Sequence, residues 1–189
     1  MKDDSELLVR FVAAFERLDD LGYYQRKPLP PELLAESDPD GRAFLRWRPA
    51  AMSTTPDSLS VIHSRMGTLP SLFEQLALSF RWLEVDLGLC RLLPNKPAND
   101  LKSLAEAMFT DPVLNETLIP ARLARFALGS ENYDPICFDL NQWDSATNDC
   151  PIVRLNHESI LMHGELGDVE TLFGSFRELV IAVINSVVD

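Results

Sequence analysis

Two short segments in the C-terminal half of this chain alternate apolar residues with a period of two, and they constrain its fold more than any other feature. In PICFDL (residues 135–140), every second residue from Ile136 onward lies on one face. In IVRLNH (residues 152–157), every second residue from Val153 onward lies on one face, and His157 is among them. This alternation is typical of β-strands with one face turned inward. The two segments are therefore predicted to pair as antiparallel neighbours.

The connection between these two strands, NQWDSATNDCP, is long for a hairpin. Its Asp, Asn and Ser residues favour turns because their side chains bond the neighbouring backbone. Such a loop is predicted to be exposed and available to bind a partner.

Helical periodicity appears on both sides of the strands. The N-terminal segment predicts an amphipathic helix that ends near Gly22. Its apolar stripe consists of Leu7, Leu8, Phe11, Val12, Phe15 and Leu18. Further helices are predicted over LFEQLALSFRW, after Pro70, and over Leu101–Phe109. The terminal GSFRELVIAVINSVV begins with a capping box of Ser175 and Glu178, and its continuous apolar face predicts a helix buried against the sheet.

A proline-rich arm, Pro28–Pro56, follows the first helix and contains six prolines. Because proline removes backbone donors, the arm is predicted to be extended and partly ordered, with one short helical turn around Glu32–Ala35. Trp47 is a candidate for packing the arm onto the domain. Farther along, LGLCRLLP is predicted to be a short strand closed by Pro94 and Asn95, whereas LARFALG fits either a helix end or a strand.

Length and composition indicate one acidic domain. The 189 residues are 46% hydrophobic, which is enough for a substantial core. A net charge of -12 disfavours nucleic acid and anionic membranes as ligands and favours a basic protein partner. The opening MKDDSELLVRF lacks the features of a secretory signal, and no apolar segment approaches the length of a membrane span, so a cytoplasmic protein is expected. The widely spaced Cys90, Cys137 and Cys150 predict reduced thiols rather than a disulfide framework or zinc site.

Acidic residues concentrate toward the C-terminus. Residues 127–189 contain eleven carboxylates and only two arginines, Arg154 and Arg177. A solvated face that maintains solubility and a docking surface for a cationic protein both fit this pattern. The candidate partner-binding residues are Glu131, Asp134, Asp139, Asp144 and Asp149. Neutralising the loop pair Asp144 and Asp149 is expected to weaken partner binding and its salt dependence, with little loss of stability.

The spacing of cysteines, histidines, carboxylates and glycines gives little support for catalysis or metal binding. Cys137 or Cys150 with His157 or His163 could supply a thiolate and a base, but Cys137 lies in an apolar strand and Cys150 precedes a proline. The spacing of the two histidines is not that of HExxH, the acidic loop lacks the DxDxDG order of a calcium site, and no glycine run has phosphate-binding spacing. The chain is therefore expected to have no enzymatic activity, metal or cofactor.

The order of these elements resembles the SUKH superfamily, which includes fungal cell-wall-synthesis regulators and many bacterial proteins. The resemblance covers Leu69–Val187, from the LPSLFEQL helix through LGLCRLLPN, GSENYDPICFD and PIVRLNHE to the SFRELV helix. The residues that carry it are Asp134, Phe138, Asp139, Pro151–Val153, Ser175, Phe176 and Glu178.

This resemblance implies an α+β fold and a non-enzymatic role in protein binding. A single domain, residues 66–189, would contain a central, mostly antiparallel sheet flanked by helices, and residues 1–65 would form an N-terminal helix and proline-rich extension. Bacterial members look like cytosolic immunity proteins that bind and neutralise a toxin, often a nuclease; fungal relatives act as interaction hubs. A regulatory adaptor or scaffold of the same fold is thus the alternative to an immunity protein. An acidic protein suits the first role, because a nuclease presents cations to phosphate.

Overall fold

The computed structural model describes residues 2–18, 24–25, 30–35, 44–45 and 47–187 and has an α+β fold. The helices are α1 (Lys2–Leu18), α2 (Ser60–Met66), α3 (Ser71–Ser79), α4 (Lys102–Phe109), α5 (Pro112–Leu118), α6 (His157–His163) and α7 (Phe176–Ser186). The strands are β1 (Tyr24–Gln25), β2 (Phe44–Leu45), β3 (Ala50–Ala51), β4 (Phe80–Arg81), β5 (Val85–Asp86), β6 (Arg91–Leu92), β7 (Leu123–Leu128), β8 (Pro135–Asp139), β9 (Ile152–Leu155) and β10 (Val169–Phe173).

A six-stranded antiparallel sheet forms the centre of the domain, in the order β10-β9-β8-β7-β6-β5. Each strand pairs with its neighbour in sequence, so the sheet is a meander. The predicted pairing of the two alternating segments is confirmed, with Cys137 opposite Val153 and Phe138 opposite Ile152. LARFALG forms the strand β7, and LGLCRLLP contributes the two-residue strand β6.

Both faces of the sheet are covered, which corrects the expectation of a single inward face. Phe138 belongs to the main core on the side of α3 and α7, whereas the neighbouring Cys137 belongs to a second cluster with α5 and α6. That second cluster consists of Leu114, Leu118, Leu123, Cys137, Val153, Leu155 and Ile160. The alternating side chains of β8 are therefore buried on both sides, between two helical layers.

Phenylalanines from five elements meet in the main core. The rings of Phe126 in β7 and Phe138 in β8 stack with their centroids 4.0 Å apart. Phe73 of α3 packs edge-on against Phe138 at 5.1 Å and against Phe176 of α7 at 5.4 Å. Phe11 of α1 extends the cluster, with its centroid 6.2 Å from that of Phe176. Because each such pair contributes about 0.5–1.5 kcal/mol beyond burial, the cluster stabilises the attachment of three helices to the sheet.

The C-terminal helix is capped and buried as its sequence indicates. Ser175 Oγ accepts a hydrogen bond from the Glu178 backbone N–H at 3.1 Å, and the Glu178 carboxylate accepts one from the Gly174 N–H at 2.8 Å. The buried face of α7 consists of Phe176, Leu179, Val180, Val183 and Ile184. Because α7 also packs against α1, the N-terminal helix shares the main core.

The described part of the proline-rich arm is attached to this core as well. The turn predicted near its start is a 3₁₀ turn at Pro31–Leu33, and Trp47 is buried with its backbone bridged to Leu34. The first helix ends at Leu18, and the predicted end near Gly22 lies outside the described residues. The arm therefore contributes a buried aromatic ring to the domain.

Periodicity did not indicate α2, α5, α6 or β10. His157, predicted to lie in a strand, instead begins α6, because Asn156 caps this helix by accepting the Ser159 N–H at 3.0 Å. The predicted boundary between residues 65 and 66 lies inside α2, whose Ile62 is buried in the main core. Across the described ranges, no helix combines the length and apolar character needed to cross a bilayer.

Replacing Phe138 with alanine is expected to lower the free energy of unfolding by about 3–5 kcal/mol, because the change removes a ring shared by β8, α3 and α7. Urea denaturation followed by circular dichroism measures this loss. The control is Val9→Ala, because Val9 on α1 is 57% exposed and its truncation is expected to shift stability by less than about 0.5 kcal/mol. Equal effects of the two substitutions would contradict a central role for the cluster.

Candidate functional site

The sheet has two ends with different connections. One end, here called the Tyr133 end, contains the turns and segments at residues 87–90, 129–134 and 156–168. The opposite end, here called the Asp144 end, contains the β8–β9 loop at residues 140–151. Both are formed by connections between strands, so side chains on them are positioned by the rigid sheet.

The five carboxylates predicted to bind a partner are divided between these ends. Glu131 and Asp134 lie at the Tyr133 end, and Asp139, Asp144 and Asp149 lie at the Asp144 end. Asp134 directly precedes β8 and Asp139 is its last residue, so a rise of about 3.3 Å per residue places them about 16 Å apart. The five residues therefore do not form one compact patch.

Asp149 is buried, and its carboxylate binds the start of α7. Its Oδ1 accepts the N–H of Cys150 at 2.8 Å and that of Phe176 at 3.0 Å, while Oδ2 accepts the N–H of Arg177 at 3.3 Å. The first turn of a helix offers N–H groups without intrahelical partners and favours a negative charge. The Asp149 carboxylate therefore joins the loop to the helix. This corrects the expectation that neutralising the loop pair Asp144 and Asp149 costs little stability, because loss of the Asp149 carboxylate leaves these N–H groups without an acceptor.

Asp139 is also buried and binds its own turn. Its carboxylate accepts the Asn141 N–H at 3.1 Å, the Asn141 side-chain amide at 3.0 Å and the Gln142 side-chain amide at 2.6 Å. Like Asp149, this residue stabilises the fold instead of facing solvent.

Asp134 is the third buried carboxylate, and it joins β8 to α6. Its Oδ1 accepts the His157 N–H at 3.0 Å and lies 2.7 Å from His157 Nδ1, while Oδ2 accepts the Asn132 amide at 2.6 Å. A carboxylate beside a histidine ring can orient a catalytic base, but this one also binds the backbone at the start of α6. The contact fixes the β9–β10 connection to the turn before β8.

Glu131 and Asp144 are the two candidate carboxylates that are exposed. The backbone N–H of Ala146 and the hydroxyl of Thr147 bind the Asp144 carboxylate and hold its pKa below the usual value. Both residues are thus accessible to a cationic partner, one at each end of the sheet.

Tyr133 is a large exposed residue that sequence reasoning missed. Its side chain is 60% exposed, and its backbone has a φ of 59°, which is uncommon for a bulky residue. The Arg91 guanidinium lies 5.1 Å from the centre of the ring and donates a hydrogen bond to the Ser130 carbonyl at 3.0 Å. The ring is therefore held outward on an ordered turn next to Glu131. The only signal in the sequence is an aromatic residue inside the polar turn GSENYDP.

Exposed apolar residues occur in the same end of the sheet and at the start of β10. Leu161 and Met162 on α6 are 49% and 76% exposed, and Val169 of β10 is 46% exposed. The carboxylates of this segment are Glu158, Glu165, Asp168 and Glu170. Apolar side chains with a charged rim are typical of protein interaction surfaces.

The cysteines lie inside the protein. Cys90, Cys137 and Cys150 are free thiols and all are buried, although Cys150 belongs to the β8–β9 loop that was predicted to be exposed. Burial raises the pKa of Cys90 and Cys150 to about 12 and also raises that of Cys137. A nucleophilic thiol needs a lowered pKa, so the shift is opposite to the one that the thiolate hypothesis requires.

A groove of about 670 Å³ lies between α2 and α4. Its lining includes Val61, Arg65, Ala105 and Phe109, and the Arg65 guanidinium lies 4.7 Å from the centre of the Phe109 ring. Acidic and basic side chains both line the groove, so its charge favours no class of ligand. In the part of the chain that the structure describes, no cluster of three or more His, Cys, Asp or Glu side chains could hold a metal ion.

Comparisons of this chain with protein-family models, with curated proteins and with solved structures found no match.

Asp149→Ala is expected to destabilise the protein by about 1–3 kcal/mol, because it leaves buried N–H groups of α7 without an acceptor. Asp144→Ala is the matched control from the same loop, where the carboxylate is exposed. Chemical denaturation of both variants measures the difference. A stability for Asp149→Ala equal to that of Asp144→Ala would show that the buried carboxylate does not hold the helix.

The three thiols are expected to resist a thiol-specific reagent at pH 8 in the folded protein, because all are buried and their pKa values are raised. In guanidinium chloride their pKa values return to about 8.5 and all three are expected to react. Absorbance of the released chromophore measures both rates. Rapid labelling of Cys150 in the folded protein would contradict its burial and reopen the thiolate hypothesis.

Proposed function

We propose that this chain is a non-enzymatic protein-binding module of the SUKH type that acts in the cytoplasm as an immunity protein. Its partner is a basic toxin domain, such as a nuclease, which it neutralises by direct binding. The role involves neither nucleic acid nor a membrane as direct ligand, and it uses no cofactor. The proposal joins the sequence resemblance to the surface of the Tyr133 end.

The observation that carries this proposal is the exposed Tyr133 ring, held outward on the β7–β8 turn beside Glu131. Tyrosine is enriched among residues that dominate binding energy, since it offers a large apolar area together with a polar group. An ordered turn also lowers the entropy lost when a partner binds. These features support a pre-organised recognition surface.

Charge supports the choice of partner. The whole chain carries a net charge of -12, and Glu131 and Glu158 are exposed at the Tyr133 end. A nuclease must present cations to phosphate, and a surface of opposite charge both speeds association and covers those cations. Association is therefore expected to weaken as salt rises.

The residues that carry the SUKH resemblance have structural roles in this fold. Phe138 and Phe176 belong to the aromatic core, Asp134 joins β8 to α6, and Ser175 and Glu178 cap α7. A central antiparallel sheet flanked by helices is the architecture that the resemblance implies, and this fold has that architecture. These contacts support the family proposal, and they hold whether the partner is a toxin or a host protein.

Affinity purification of the tagged protein from its source, at low and moderate salt, tests the proposal. One basic polypeptide, lethal when expressed alone and harmless when co-expressed with this chain, is the expected result. Several ordinary cellular proteins, retained weakly, would instead support the adaptor role. Turnover by the purified protein on a recovered molecule would contradict a non-enzymatic function.

Tyr133→Ala is expected to weaken binding to the recovered partner at least about fivefold, because aromatic anchors commonly contribute more than about 1 kcal/mol. Glu131→Gln is expected to slow association at low salt with less effect at high salt. Surface plasmon resonance measures both. Because the carboxylates are divided between the two ends of the sheet, Asp144→Asn at the other end is the control and is expected to bind normally, which replaces the expectation that neutralising the loop pair weakens binding. A loss with Asp144→Asn alone would move the interface to the Asp144 end.

A further inference from the structure

β10 lies at the edge of the central sheet. In the part of the chain that the structure describes, its strand neighbour is β9 on one side only. Val169, Glu170 and Thr171 are exposed, and a register shift follows Thr171 before Phe173 pairs with Ile152. Edge strands are commonly protected by lysine, proline or a β-bulge. VETLF contains neither lysine nor proline, and its irregularity follows Thr171 and so leaves residues 169–171 in regular pairing. The first three residues of β10 are thus open to further pairing.

The direction of the free backbone groups follows from the register. The Asp139 N–H donates to the Pro151 carbonyl, so alternate residues of β9 from Pro151 onward bond β8. Arg154 lies between two of these residues, so its backbone N–H and C=O groups point toward β10, where it pairs with Glu170. In an antiparallel ladder the adjoining residues then point the other way. Val169 and Thr171 therefore direct their N–H and C=O groups away from the sheet.

The opposite edge of the sheet is different. Val85 of β5 is fully buried, and Asp86 accepts a hydrogen bond from the Ser130 hydroxyl at 2.7 Å. The strand also packs against α1. Within the described ranges, the exposed edge is therefore the one formed by β10.

The negative charge around this edge favours a basic occupant. Glu165, Asp168 and Glu170 lie on or just before β10 and are exposed. Arg154 is the cation of β9, and it already binds Glu170, with Nε 3.0 Å from the carboxylate. A strand that adds to β10 thus meets carboxylates, and no unpaired arginine of β9 lies nearby to repel its cations. Lysine or arginine at alternating positions of the added strand would complement the carboxylates.

We propose that the β10 edge accepts an extended, basic segment of a partner protein as a seventh strand of the sheet. Val169 and Thr171 supply the backbone hydrogen bonds, Val169 supplies an exposed apolar contact, and the exposed carboxylates of Glu165 and Asp168 bind the cations of the segment. This mode is β-strand addition. The inference deepens the proposed protein-binding role and rests on it for the identity of the occupant as a protein.

A second copy of this chain is a poorer occupant. Two antiparallel β10 strands would bring Asp168 and Glu170 of one copy near the same carboxylates of the other, and like charges across strands destabilise pairing. Each copy also carries a net charge of -12. A basic strand meets neither obstacle.

A short synthetic peptide of alternating lysine and valine is the first probe, used with the purified full chain. Backbone amide NMR is expected to show saturable shifts at Val169 and Thr171 and hydrogen exchange there slowed about tenfold. A peptide of alternating glutamate and valine is expected to leave both amides unchanged. Equal binding of the two peptides, or shifts confined to other regions, would overturn the proposal.

Matched substitutions at Thr171 test the backbone contact itself. Thr171→Pro removes the outward N–H, which β9 does not use, and prolines are tolerated on edge strands. It is expected to abolish the shift of the Val169 amide, whereas Thr171→Ala keeps the N–H and is expected to preserve the shifts of both amides. Val169→Lys adds a cation to the edge and is expected to weaken binding of the lysine peptide. This variant keeps the test available if the proline variant does not fold. Unchanged binding by Val169→Lys and Thr171→Pro would overturn the proposal.

Hydrogen exchange in the complex with the natural partner separates this inference from the proposed function. Protection of Val169 and Thr171 supports strand addition by that partner. A lethal basic partner that depends on Tyr133 but leaves both amides unprotected overturns the edge proposal and retains the immunity role. Peptide binding without any such toxin supports the edge and counts against immunity. Protection of both amides in a dimer of the free protein would overturn the choice of occupant.

Discussion

The stacked rings of Phe126 and Phe138 are the contact on which the rest of the structure depends. They lie on adjacent strands, β7 and β8, with centroids 4.0 Å apart, and present one apolar surface to the helices. Phe73 and Phe176 pack edge-on against that surface, so the positions of α3 and α7 are set by the same two rings. Because packed interiors tolerate little change in volume, the packing of both helices on the sheet depends on these two rings.

Buried carboxylates complete what the aromatic cluster cannot supply. Apolar packing is not directional, whereas Asp149 accepts N–H groups at the start of α7 and Asp134 accepts one at the start of α6. Each carboxylate thus defines where a helix begins relative to a strand. Their negative charges are stabilised by several hydrogen bonds and by the helix ends. The same bonds occupy the oxygens that a cationic partner would need.

The sequence predicted the elements whose signals are local. Alternation identified β8 and β9, and the capping box at Ser175 identified α7, because each pattern depends on residues close together in the chain. Two-residue strands such as β5 are too short to show a period. The burial of Asp134 and Asp149 was not predictable in this way, since their backbone donors lie 23 and 27 residues away. Composition counts carboxylates, but only the fold reveals which of them are desolvated.

This division between buried and exposed carboxylates decides where recognition can occur. A carboxylate that holds a helix cannot turn toward a partner without unpairing buried N–H groups, whereas Glu131 and Glu170 face solvent. Tyr133 and Val169 are likewise outside the buried core, although β8 and the β9–β10 connection hold them in place. Substitutions at such positions are expected to change the proposed partner contacts while leaving the aromatic cluster intact. If binding occurs at the proposed Tyr133 end and β10 edge, its specificity can change there without a change of scaffold.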